Sequence, residues 1–149
     1  MQNLFDPADR AALVYRLGRL QETSARQWGT LAPAQALAHC AVALEVPCGD
    51  RRKRQMLLGR LLAPFVRSSV LGEKPFSHGA PTDRDFVVSD QRDFAAERQR
   101  LIALVDRFCA GGPAKADGVV HSFFGRLSGE EWGRLMYKHI DHHLRQFGA

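Results

Sequence analysis

The segment from Glu131 to Phe147 constrains the fold more than any other stretch of the chain. Trp132, Met136, His139, His143 and Phe147 recur at spacings of four, three, four and four. On an α-helix all five share one face. The three bulky apolar members must turn that face toward a core, and they take the two histidines inward with them. The imidazoles then lie side by side, their Cβ atoms roughly 6 Å apart. Each needs a partner there, because a buried polar group without one costs about 1–3 kcal/mol. Asp141 falls nearly opposite this stripe and is expected in solvent. His142 points about 100° away from His143 and is expected at the rim.

One transition-metal ion can satisfy both rings, since neutral imidazoles at i and i+4 share a coordination sphere readily. Two ligands from one helix are too few. A second helical pattern, Gln35, His39, Val42 and Val46, again sets a histidine among core positions. Packing the two helices together would bring His39, His139 and His143 to one point. Three protein ligands leave a position open for water or substrate, the arrangement of catalytic sites. The donor set suits zinc, nickel or iron without choosing among them. Separate core histidines, each bonded to a backbone carbonyl or a carboxylate, are the alternative that the spacing leaves open.

The rest of the chain reads as helices and loops. Asp6-Pro7 opens a helix with a cap and an N1 proline, and Leu13, Leu17 and Leu20 carry its apolar stripe to about Gln21. A second helix starts near Ala32-Pro33 and is expected to stop at Pro47 and Gly49. Residues 51–71 read as a third, basic at its start, with Leu57, Leu58, Leu61, Leu62, Phe65 and Val66 as its core stripe and Pro64 bending or shortening it. Gly72, Pro75, Gly79 and Pro81 mark 72–89 as a long ordered loop. A helix capped by Ser89 or Asp90 follows, lined by Phe94, Leu101, Leu104, Val105 and Phe108 and ended by Gly111-Gly112-Pro113. After a second loop, 114–127, Ser128 and Glu131 form a capping box for the last helix. No segment alternates over strand length. The expected fold is therefore one all-α domain, residues 1–149, with four or five helices and two long crossovers.

At 149 residues such a domain buries a sizeable core without disulfides. The three cysteines, Cys40, Cys48 and Cys109, lack zinc-ribbon spacing and are expected reduced. No apolar run is long enough to span a membrane, and the first residues lack the pattern of a signal peptide, so a cytoplasmic location with no membrane partner is expected. The net charge of +5 is concentrated near Arg51, Arg52, Lys53 and Arg54. That run suits an anionic partner or acidic groups elsewhere in the fold. Without interleaved aromatic residues it is a poor nucleic-acid platform.

Two segments, Leu31 to His39 and His139 to Gln146, resemble the ligand-bearing helices of the DinB/YfiT-like superfamily of metal-dependent enzymes. The resemblance implies an up-down-down-up four-helix bundle with His39, His139 and His143 on a divalent ion. It also implies a homodimer and, from some members, a low-molecular-weight thiol as substrate. The expected function is then a metalloenzyme, a thiol-dependent transferase or a hydrolase. The metal would act as a Lewis acid and generate a nucleophile near neutral pH. His121, just before the last helix, is a candidate general base or positioning group. Gln35 and Gln146 are candidates for orienting a ligand or a water. A non-catalytic metal protein of stress response or interaction is the rival reading.

Overall fold

The computed structural model describes residues 1–79 and 82–149. Positions 80 and 81 of the expected long loop lie outside them. Five helices carry the fold: α1 (Pro7–Arg19), α2 (Pro33–Cys48), α3 (Leu57–Leu71), α4 (Phe94–Ala116) and α5 (Gly129–Gln146). A 3-10 turn, Arg84–Phe86, interrupts the crossover between α3 and α4. Two short antiparallel strands, β1 (Val120–His121) and β2 (Gly125–Arg126), precede α5. The molecule is thus mostly helical, with a two-stranded ribbon that the absence of any long alternating segment did not reveal.

The helix ends follow local chemistry. Asp6 accepts from the N–H groups of Ala8 and Asp9 at the start of α1. Ser128 Oγ takes the Glu131 N–H at 3.2 Å, and Glu131 Oε2 takes the Ser128 N–H at 2.8 Å, so the expected box starts α5. Three ends differ from expectation. Pro47 sits inside the last turn of α2, which closes on Gly49 at φ 90°. Asp93, not Ser89 or Asp90, caps α4 through the Ala96 N–H. Gly112, at φ 70° and ψ 172°, breaks α4, and one further turn follows Pro113.

Leu13, Leu17, Leu101, Val105, Trp132, Ile140 and Leu144 are all buried in the core. Nearly every side of α2 is buried as well, as its apolar composition requires. It packs on α4 and α5, and α1 packs on α5. Asp141 is buried at 8% exposure, not solvated. It is paired at 2.6 Å with Arg16 of α1 and at 2.8 Å with Arg145.

The largest departure concerns α3. Residues 51–56 are not helical, and the Met56 N–H donates to the Ser122 carbonyl at 2.8 Å. Leu57, Leu58, Leu61, Leu62, Phe65 and Val66 face outward instead of forming a core stripe. The inner face is Gly59 and Ala63. At Gly59 the backbone comes so close that a Cβ would run into the Phe123 carbonyl. Arg67 completes the attachment through both carboxylate oxygens of Glu131 at 2.7 Å. Among the described residues, no helix is long and apolar enough to cross a membrane.

Candidate metal centre

The capping box sets the phase of α5 and brings His139 and His143 to the face that meets α2, where His39 is 6% exposed. The three rings form a triangle, with centroids 4.8, 4.9 and 5.1 Å apart. Their candidate ligand nitrogens all lie within 4.8 Å of one another. Among the described residues no further histidine, cysteine, aspartate or glutamate joins the group. Metal–imidazole distances of about 2.0–2.1 Å keep any two ligand nitrogens within about 4.2 Å. The nitrogens are therefore close to the spacing that a shared ion requires.

Hydrogen bonds decide where the lone pairs point. His39 Nδ1 lies 2.8 Å from the Phe86 carbonyl. A carbonyl only accepts, so Nδ1 carries the proton and Nε2 carries the lone pair. His143 Nδ1 lies 2.9 Å from Gln146 Oε1. Gln146 Nε2 donates to the Trp28 carbonyl at 2.8 Å, which fixes that amide and puts the proton on His143 Nδ1. Its Nε2 likewise carries the lone pair. His139 Nε2 approaches His39 Nε2 at 2.9 Å and must donate, since His39 has no proton there. Two rings are preset as ligands, and the third changes tautomer to join them.

Electrostatics favours the neutral rings that metal ligation needs. Burial pushes all three below the ordinary imidazole value. For His39 the Phe86 carbonyl acts weakly in the other direction. His139 falls well below, with His39 and His143 adding to the burial. His143 drops to about 3, again with His39 contributing. His139 and His143 are partly buried. The nearby rim holds His142, tilted against Trp28 and Phe76 at 5.7 and 5.9 Å, and His78, stacked on Trp28 at 3.9 Å.

The turn that supplies the Phe86 carbonyl is itself anchored. Lys53 reaches Asp83 at 2.9 Å and Asp85 at 2.5 Å and lies over the Phe86 ring at 4.7 Å. One member of the basic run is thus spent on acidic groups inside the fold. Sequence reasoning missed Phe86 because its contribution is a backbone atom. The two aspartates downstream of Lys53 were the only trace.

The other candidates separate. Gln146 touches a candidate ligand directly. Gln35 does not: its Oε1 accepts from the Ala32 N–H at 2.9 Å and its Nε2 donates to the Asp90 carbonyl at 3.1 Å. Its amide caps α2 and ties it to the crossover, and it makes no hydrogen bond to His39, His139 or His143. His121 Nδ1 accepts from the N–H groups of Phe123 and Phe124 at 3.0 and 3.2 Å, and burial lowers its pKa to about 4. Its Nδ1 lone pair is occupied and its proton sits on Nε2, which removes it as a general base and leaves a neutral donor. Cys40 is fully buried, and that burial raises its thiol pKa, so it stays protonated.

Residues 4–149 match the family described as "Protein of unknown function (DUF1569)". That match overturns the resemblance to the DinB/YfiT-like superfamily. The resemblance stood on two short histidine-bearing segments, and histidines at i and i+4 facing a second helix are a packing solution open to unrelated bundles. The homodimer and the thiol substrate entered through the resemblance and lose that support with it. No curated protein and no solved structure matches the chain.

Proposed function

The chain belongs to the DUF1569 family of unknown function, so its chemistry must be read from its own residues. We propose that it is a metalloprotein holding one divalent transition-metal ion on His39, His139 and His143, with a coordination position left for water or a small substrate. The observation that carries this reading is the convergence of three imidazoles from two helices, two of them held at Nδ1 so that Nε2 carries the lone pair. All-nitrogen ligation suits zinc, nickel or iron.

We read the site as that of a metal-dependent enzyme, a transferase or hydrolase. When bound, the ion would supply Lewis-acid chemistry and a more acidic water. The protein's own part is positional. The Phe86 carbonyl and Gln146 hold two ligand rings by their outer nitrogens, as is usual around metals. His121 offers an Nε2–H donor beside the ligand helix. Trp28 Nε1 is the one buried side-chain polar atom without a partner among the described residues, an unspent donor for a bound molecule at the rim. We also assign the chain to one domain in which α1, α2, α4 and α5 run up-down-down-up, which the mutual packing of these four helices supports.

A purely structural ion is the rival. Structural sites are closed by four protein ligands, and the cluster has three among the described residues. Elemental analysis of protein purified without a tag tests the assignment. Wild type should carry about one equivalent of metal, and His139→Ala and His143→Ala almost none, with helical circular dichroism retained. Wild-type metal content in both variants rejects the site. A cobalt-loaded protein whose visible spectrum shifts on adding azide has an exchangeable position; an unchanged spectrum favours the structural ion.

A further inference from the structure

The outer face of α3 is the largest feature that the metal site does not use. Leu57 and Phe65 are 81% and 80% exposed, and Leu58, Leu61 and Leu62 lie beside them. Together these five side chains form a continuous row of exposed apolar surface, the kind of patch that marks an interaction site. The exposure is built in. The inner face is held by the close approach at Gly59 and by the Arg67–Glu131 pair, so α3 cannot roll its leucines inward without giving up both.

The helix and the approach to it are basic, and exposed Glu73, just past the C-terminal end of α3, is the first acidic residue after them. Positions 51–72 contain no acidic residue. Three of their six cations are engaged within the fold: Arg51 with Glu45, Lys53 with the turn aspartates, and Arg67 with Glu131. Arg52, Arg54 and Arg60 are exposed and make no ion pair among the described residues. A second copy of the chain is a poorer occupant, because two-fold pairing through α3 would set the three arginines without an ion pair in each copy against a single exposed acid, Glu73. The C-terminal carbonyls of α3, which could have received a partner's cations, already accept from Lys138 Nζ, Val70 at 2.5 Å and Gly72 at 2.7 Å. A convex apolar ridge with cations at one end and one flank instead matches a flat layer of anionic headgroups over acyl chains.

We propose that α3 is a peripheral membrane-binding helix. It lies in the interface with Leu57, Leu61 and Phe65 among the acyl chains and Arg52, Arg54 and Arg60 on anionic phospholipid headgroups. The inference is independent of the metal.

Co-sedimentation of the full chain with vesicles tests it. Binding to phosphatidylcholine–phosphatidylglycerol vesicles should exceed binding to phosphatidylcholine alone by about tenfold or more and should weaken with salt. Leu61→Glu combined with Phe65→Glu should abolish binding to both while metal content and circular dichroism stay at wild type. Arg52→Glu combined with Arg54→Glu should remove only the preference for anionic vesicles. Equal partitioning to both vesicle types, or undiminished binding by the leucine–phenylalanine variant, overturns the proposal. So does a wild-type dimer that ignores vesicles and becomes monomeric in that variant, which would give the face to a second copy.

Discussion

Gln146 shows how much of a site can rest on one amide. It holds the outer nitrogen of His143 and is itself oriented by the Trp28 carbonyl. Replacing Gln146 by Ala frees that ring to turn and to exchange tautomers. The expected loss is about 10–100-fold in metal affinity, read by competition with a chromophoric chelator, with little change in helix content. An affinity within twofold of wild type would show that the ring needs no such support. His121 makes a prediction about acid. Its folded pKa, about 4, lies below the ordinary 6.5. The unfolded chain therefore takes up a proton below about 6.5, and the folded protein does not until about 4. Stability is complete above that window and is lost as pH falls through it, by on the order of 3 kcal/mol for this residue. His39, His139 and His143 act in the same direction. In His121→Asn the amide oxygen can still accept from Phe123 and Phe124 but does not titrate. Urea midpoints of metal-free protein should then fall less steeply between about pH 6.5 and 4 than those of wild type. Identical slopes would mean that His121 is not the buried neutral ring described above.

Individual helices were legible where local chemistry alone decides them. The starts of α1 and α5 followed from Asp6-Pro7 and from the Ser128–Glu131 box, and the histidine stripe of α5 was readable from its period. Elements that depend on contacts were not. α3 has the strongest apolar repeat outside α5, yet its large residues face out, because Gly59 and Ala63 permit a close approach that bulk would forbid. Periodicity shows that a helix is two-sided; it does not show which side meets the protein. The ribbon of β1 and β2 is too short to alternate. Asp141 looked exposed by phase and is buried because Arg16 of a distant helix meets it. The close approach makes its own prediction. Gly59→Ala must displace α3 from Phe123, at a cost of about 1–3 kcal/mol, although alanine has the higher helix propensity. A chemical-denaturation midpoint equal to or above that of wild type would show that α3 is not held at this point.

At the scale of the molecule, the core is extensive enough that the fold should not wait for an ion. Metal-free protein should remain helical, with metal binding adding to stability by mass action. At a free metal concentration of 100 times Kd the gain is about 2.7 kcal/mol, or about 5–10 °C in Tm for a chain of this size. A thermal melt with and without chelator reads this directly. Loss of all helix on chelation would make the ion a folding cofactor, and a superimposable melt would mean that none binds. The site is a junction of three separate stretches of chain: α2, α5 and the turn at Arg84–Phe86. That last stretch aims His39 with a main-chain oxygen, an atom that every amino acid possesses. Exchanging one apolar residue for another at position 86 therefore leaves the ligand's orientation intact. The genetic instruction for that orientation is written instead at Lys53, Asp83 and Asp85. A mutational scan for metal retention would pass over the residue that makes the contact and register those that shape its loop.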